Sequence, residues 1–332
     1  MKAIILEGIN APLKYTDVPI PEIGSGEVLV KIKAAAFNHR DLWIQKGQYG
    51  GLRFPSIQGS DGCGVVDQVG DGVDNSMLGR EVIINPSLNW GNNPHFQAKD
   101  YMILGMAQDG TFAEYVRIHS RLLHYKPKHL TDEQASAIPL AGLTAFRVLF
   151  TRARAKAGEN ILVTGVGGGV ALFVMQFAIA AGCNVYVTSG SDKKLAQALA
   201  LGAKAGVNYK NENWHKELQS LSGGFDAIVD SACGDNFARL TDIAKPAGRI
   251  AFYGATLGAF NSGVPAKIFW KQLDVFGSTM GNDEDFANMV QFVNDHEIQP
   301  VVDSVFTLDQ AQQAIEKMER GEQFGKIVLA VQ

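Results

Sequence analysis

The alternation of apolar and polar positions changes character part-way along this chain. Up to about residue 120 the apolar positions recur with period two, in short stretches broken by glycine and proline. Glu27–Lys33 alternates, Gly64–Gly70 follows a glycine-rich turn, and Arg80–Ile84 is a third such stretch. Short strands at this spacing predict a compact, barrel-like β domain rather than βαβ units. Around Thr131 the pattern turns helical. Thr131-Asp132-Glu133-Gln134 reads as a capping box, and Pro139 punctuates a helical region running towards Phe150.

From Asn160 apolar runs of strand length alternate with helical stretches. The pattern predicts strands at Ile161–Val163, Asn184–Thr188, Ala205–Val207, Phe225–Asp230, Arg249–Tyr253 and Asp274–Phe276. Helices fall between them, for example Val170–Ala178, Trp214–Ser222 and Phe237–Ala244. This alternation predicts a doubly wound parallel sheet of about six strands. The tail from Gly281 carries two amphipathic helices and a closing strand, Lys326–Val331, and is expected to return to the β domain. The α/β organisation expected is residues 1–125 with 281–332 as one domain and 126–280 as the other.

The junction of the first of these strands with its helix carries the most specific chemistry. Thr164, Gly165, Gly167, Gly168, Gly169 and Val170 form a glycine-rich turn. The missing side chains let a pyrophosphate approach the main chain, and the helix that follows points free N–H groups and its positive end at it. A tight turn without a ligand is the bland reading, but the flanking strand and helix favour a dinucleotide site. In NAD-binding versions an acidic residue at the end of the second strand accepts hydrogen bonds from the ribose. Here Ser189 holds that position, with Lys193 and Lys194 close behind. A hydroxyl and an ammonium group attract a 2′-phosphate that a carboxylate would repel, so NADPH is favoured over NADH. The alternative is that both lysines are solvated first-turn residues.

Composition narrows the function classes. With 332 residues, 46% hydrophobic and 19% charged, the chain has room for two folded domains. A formal net charge of −4 argues against nucleic acid as the main partner. No apolar run is long enough to span a membrane, and Met1–Glu7 lacks the apolar block of a signal peptide. Cys63, Cys183 and Cys233 lie far apart without paired spacing, as expected in a reducing cytoplasm.

Six motifs occur in order: Gly26–Val30, Gly59–Val66, Gly110–Val116, Ala141–Ala145, the glycine turn and Phe324–Leu329. Together they resemble the medium-chain dehydrogenase/reductase superfamily over essentially the whole chain. The resemblance implies a GroES-like β-barrel domain plus a Rossmann domain, with the active site in the cleft between them. Zinc alcohol dehydrogenases of this superfamily place a cysteine, a histidine followed by glutamate, and a third ligand in that cleft. The matching positions here are Asn38, Ser60 with Asp61, and Leu140, and residues 85–109 contain no cysteine. Such a set lacks the donors that hold catalytic zinc, and no metal is expected. Ser60 and Asp61 are expected to hydrogen-bond locally and nothing more.

The chain is more similar to the zinc-free quinone oxidoreductase branch. Gly165, Gly168, Gly169 and Val170 follow that branch's glycine signature, with Ala171 where its last glycine usually stands. Asn38-His39-Arg40-Asp41 matches its Asn-x-x-Asp signature. The match implies that Lys194 and Tyr209 contact the adenosine phosphate end of NADPH, and that Trp43 and Tyr49 line the substrate cleft. Lys326, in the terminal motif, joins the expected cofactor-binding set. The segment 85–109 is longer than in the small quinone reductases, and its Trp90 and Phe96 are candidates to reshape the pocket.

A cleft without metal cannot readily ionise an alcohol, but it can deliver hydride to an electron-poor carbon of a quinone or an α,β-unsaturated carbonyl. The protein must then supply position and hydrogen-bond donors for the developing oxyanion. Asn38 is the first candidate donor and Tyr49 the second. Asp41 completes the expected catalytic group with Trp43, and is better suited to capping a helix or orienting Asn38 than to acid–base work. An acyl-thioester reductase and a non-catalytic NADPH sensor remain open. The former needs a basic patch, for which Arg152–Lys156 is the candidate. Asp274–Phe276, at the edge of the predicted sheet, suggests a homodimer or homotetramer.

Overall fold

Backbone pairing turns the period-two stretches into strands, and the register of three of them decides where the functional groups meet. The computed structural model describes residues 1–260 and 265–331. The chain divides into two compact units, Met1–Leu143 with Gly281–Gln332, and Thr144–Met280. The first break falls later than the 125/126 boundary expected from sequence. The capped helix Asp132–Ser136 packs on strands Glu27–Ala36 and Asp61–Val69, so the segment after residue 125 belongs to the β unit. Its cap has the expected form, with Thr131 Oγ1 accepting from Gln134 N at 3.3 Å and Gln134 Oε1 accepting from Thr131 N at 3.2 Å.

In the first unit a seven-stranded sheet is built around Glu27–Ala36. Its first half pairs antiparallel with Tyr115–His119 and its second half with Lys326–Ala330, while Asp61–Val69 runs along the other side. A three-stranded sheet formed by Lys2–Leu6, Lys14–Asp17 and Ser56–Ile57 joins it through the Ala3–Ala113 bridge. Ile4, Val30, Ile32, Phe37, Phe112 and Leu329 fill the core between them. The returning tail contains a strand absent from the sequence reading. Val302–Thr307 pairs in parallel with Lys326–Ala330 at the edge of the sheet. Within segment 85–109, Ser87–Leu88 pairs with Met102–Ile103.

The second unit is a parallel six-stranded sheet. Its spatial order is Ala205–Asn208, Asn184–Ser189, Asn160–Val163, Phe225–Asp230, Ala244–Phe252 and Asp274–Gly277. Read by chain order this is 3-2-1-4-5-6, which places a topological switch between the first and fourth strands. The fifth strand begins five residues before its predicted start. The early part is irregular: Ala247 has φ +58°, and the register with the fourth strand shifts between Phe225 and Ala227. Helices Gly169–Ala180, Asp192–Ala200 and Trp214–Ser222 fall where the 3.6-residue period places them.

Candidate active site

In the first unit, strand register brings three distant polar side chains together. Ala36 lies opposite Asp61, and Val328 lies opposite Ala36. Continuing the second ladder by two residues sets Asn38 opposite Lys326, and the Asn38 side chain reaches back to Asp61. Asn38 then caps the helix His39–Gln45, its own N–H donating to Asp41 Oδ2 at 2.8 Å.

Asp61 is the hub. Its Oδ2 accepts from Lys326 Nζ at 2.7 Å and from Asn38 Nδ2 at 2.9 Å, and its Oδ1 accepts from the Leu140 backbone N–H at 2.7 Å. Lys326 Nζ also donates to Asn38 Oδ1 at 2.7 Å. This closed triangle fixes the Asn38 amide: its oxygen must face the ammonium and its NH₂ the carboxylate, because the reverse pairs like with like. Asp61 is wholly buried and Lys326 is 4% exposed. Next to this triangle Arg40 donates through Nη1 to Ser60 Oγ and to the Leu104 carbonyl, and its guanidinium lies 5.1 Å from the Tyr49 ring centroid. Asp41 is buried beside it, with Arg40 Nη1 at 3.9 Å from Oδ1. Desolvation pushes its carboxyl up to about 6, against the opposing pull of Arg40.

The predicted residues are therefore distributed as follows. Asn38 and Asp41 are joined through the helix cap, and Tyr49 reaches them through Arg40. Trp43 is half-buried one turn along the same helix, where its carbonyl accepts from Gln48 N. Lys326, expected with the cofactor set, stands in the first unit against Asn38 and Asp61. Asp61 does far more than bond locally: its partners lie 23, 79 and 265 residues away. Trp90 is buried with Nε1 donating to the Asn93 carbonyl and its ring edge-on to Tyr101, while Phe96 is exposed.

In the second unit the glycine turn sits at the carboxyl end of the first strand. Gly165 and Gly167 have φ of +66° and +134°, which only glycine adopts without strain. Gly168 caps the twelve-residue helix Gly169–Ala180, so Gly169 and Val170 present the first helical amides. Thr188 pins the turn, its carbonyl accepting from Val166 N at 2.7 Å and its hydroxyl from Gly165 N at 3.1 Å. Lys194 lies against the turn: a Cβ on Gly167 would come within 2.9 Å of its Cδ. Tyr209 covers Gly190 just as closely, its hydroxyl 2.6 Å from where a Cβ would be. Ser189 is buried at the end of the second strand, and Lys193 is exposed on the same first turn as Lys194. These groups fit a dinucleotide phosphate. The sequence reading passed over Asp230. From the end of the fourth strand it accepts from Thr164 Oγ1, and its other oxygen accepts from Cys233 N at 2.7 Å, tying both sides of the switch point.

The basic stretch is otherwise engaged. Arg152 donates to the Gly277 carbonyl, Arg154 pairs with Asp274, and both guanidinium groups lie over the Phe276 ring. No helix among the described residues is long and apolar enough to cross a membrane.

Comparison with known proteins agrees with both halves. Residues 24–128 match the alcohol dehydrogenase GroES-like domain, and residues 169–295 match the zinc-binding dehydrogenase family. A zinc-type alcohol dehydrogenase-like protein of Leptosphaeria maculans is 38% identical, with 96% of this chain and 95% of the relative covered. The chain is a medium-chain dehydrogenase/reductase. A quinone oxidoreductase of Rattus norvegicus is 28% identical over 95% of this chain and 92% of the relative. A crystal structure of an NAD-dependent alcohol dehydrogenase, 38% identical, superposes with a TM-score of 0.94 and full coverage of both chains. The fold is thus that of the superfamily, a GroES-like unit and a parallel Rossmann-like unit.

The zinc in one family's name finds poor donors here. Asn38, Ser60 and Leu140 offer an amide, a hydroxyl and an alkyl group, and the carboxylate of Asp61 already holds an ammonium and two N–H groups. Among the described residues no three His, Cys, Asp or Glu side chains gather as a metal site. The residues at these positions do not fit a zinc ion.

Proposed function

We propose that this medium-chain dehydrogenase/reductase is an NADPH-dependent, zinc-independent reductase of quinones or α,β-unsaturated carbonyls. One observation carries the reading. At the position where zinc relatives keep ligands, this chain keeps a hydrogen-bonded Asn38–Asp61–Lys326 triangle, which can offer hydrogen bonds to an oxygen atom but has no means of ionising an alcohol.

The dihydronicotinamide, when bound, supplies two electrons and a hydrogen nucleus as hydride. Addition to the β-carbon of an enone breaks the C=C π bond, and its electron pair leaves the negative charge on oxygen as an enolate. A proton from water then completes the saturated carbonyl. The chain's part is to brace that oxygen, with Asn38 as first donor and Tyr49 as second. The glycine turn and the first amides of Gly169–Ala180 would receive the pyrophosphate. Ser189 and Lys194 would receive the 2′-phosphate, which favours NADPH over NADH. Asp41 holds the Asn38 backbone in place and is a positioning residue.

The test is NADPH oxidation against a panel of quinones, enals, enones and acyl-thioesters. Turnover of a quinone or enone is expected. Turnover of thioesters alone contradicts the substrate class, and none with any electrophile favours a sensor.

A further inference from the structure

The second unit carries a cavity of about 400 Å³ at the end of its sheet opposite the glycine turn, where the first, fourth and fifth strands begin. That volume is within the range of small-molecule sites. Its wall is charged: Arg154, Lys156 and Arg249 stand with Glu159 and Asp226. Hydrogen bonding sorts these groups into occupied and available ones. Arg249 donates to the Arg154 and Asp226 carbonyls and to Glu159 Oε1, which occupies all three of its nitrogens. Glu159 Oε2 accepts from Lys156 N, and Asp226 Oδ2 accepts from Lys245 Nζ and Asn160 N. Each carboxylate therefore already has its own cation. Arg154 gives one nitrogen to Asp274, in an ion pair whose side chains are both about half exposed and which is correspondingly weak. Lys156 is exposed, and its ammonium meets no partner among the described residues. Two residues of the wall, Arg154 and Ala247, have φ of +52° and +58°. Arg249 holds the first through its carbonyl, and the Lys271 carbonyl holds the second by accepting from Ala247 N at 2.7 Å. Residues other than glycine keep such angles only at a cost, and they recur at ligand sites.

We propose that this cavity is a second ligand site, separate from the dinucleotide site, and that it takes an organic phosphate monoester. The available groups are a guanidinium fork, Arg154, and a flexible ammonium, Lys156. A phosphate monoester brings close to two negative charges at neutral pH and three acceptor oxygens, which matches that pair; a carboxylate brings one charge and two oxygens. The organic part of the ester lies against Pro246, Ala247 and Gly248. The glycine turn is at the other end of strand Asn160–Val163, roughly 15 Å away at about 3.3 Å per residue. The ester and a dinucleotide therefore share no group, and the proposal does not depend on the reductase reading.

Calorimetric titration of the full chain, with and without saturating dinucleotide, tests this with glycerol phosphate as the probe. One equivalent should bind in both states, glycerol should not bind, and glycerate should bind about 10-fold more weakly or less. Arg154→Met/Lys156→Met should weaken glycerol phosphate about 10-fold or more, the usual cost of a lost charge-assisted hydrogen bond. The same variant should leave the dissociation constant of the dinucleotide within about 2-fold, since neither residue reaches the turn. A second measurement needs no variant. Glycerol phosphate should slow the acetylation of Lys156 in the wild type, read by mass spectrometry, and leave the exposed Lys216 unaffected. The proposal is overturned by the lack of saturable binding, by binding seen only without dinucleotide, or by undiminished binding in the double variant. A Lys156 that the probe does not protect overturns it as well, and glycerate that binds as tightly as the phosphate overturns the ligand class.

Discussion

Lys326 Nζ and Asp61 Oδ2 lie 2.7 Å apart, with 4% of one side chain and none of the other exposed. At this depth neither charge can fall back on water if its partner is removed. Asp61→Ala should therefore destabilise the protein by about 3–5 kcal/mol, as expected for an uncompensated buried charge. Replacing both residues by neutral ones should recover most of that loss. Urea denaturation of the single and double variants checks the pair, and a single variant within about 1 kcal/mol of wild type would show that the ion pair carries no such weight.

Asp41 gives a pH signature. Its carboxyl is pushed from 3.8 up to about 6 by burial, so the folded state holds this proton more tightly than the unfolded chain does. The resulting stability is fully present below about pH 4 and is lost as pH rises through about 6. A shift of this size corresponds to roughly 3 kcal/mol. Asp41→Asn should flatten the stability curve over this window relative to wild type, as measured by denaturant midpoints from pH 4 to 7. Parallel curves for the two proteins would contradict the assignment.

The proposed preference for NADPH assigns the 2′-phosphate to Lys194 and Ser189. If Lys194 grips a 2′-phosphate, Lys194→Ala should weaken NADPH binding by about 1–3 kcal/mol and leave NADH binding nearly unchanged. Fluorescence titration of both cofactors reads this directly. Equal wild-type affinity for the two would remove the basis for NADPH preference.

The strand Asp274–Gly277 ends the six-stranded sheet, with Arg152 and Arg154 laid over Phe276. An open sheet edge is a template for two-fold pairing. Light scattering should give the mass of a dimer or tetramer, and a monomer mass across a wide concentration range would count against edge pairing.

What the sequence made legible was local. Periodicity located Trp214–Ser222, and the glycine turn marked its own strand and helix, because each signal lies within one short window. Strand Val302–Thr307 escaped notice because it is a half-exposed edge strand between two helices, without a run of apolar residues to mark it. The Asp61 hub escaped for a different reason. Its partners come from strand register and a distant helix start, which no window contains. The one available signal was Gly59-Ser60-Asp61-Gly62, where tight glycine packing surrounds a carboxylate. A Cβ on Gly62 would come within 2.7 Å of the Thr111 side chain.

Metal-free turnover decides between the two chemistries open to this fold. Protein dialysed against a strong chelator, and shown by elemental analysis to hold no stoichiometric zinc, is assayed with NADPH and an enone or quinone, and in parallel with NADP⁺ and simple primary and secondary alcohols. Full activity on the conjugated carbonyl, unchanged by added zinc, with very poor alcohol oxidation, is the expected result. Efficient alcohol oxidation that disappears on chelation and returns with zinc would contradict the metal-independent mechanism and the role given to Asn38, Asp61 and Lys326.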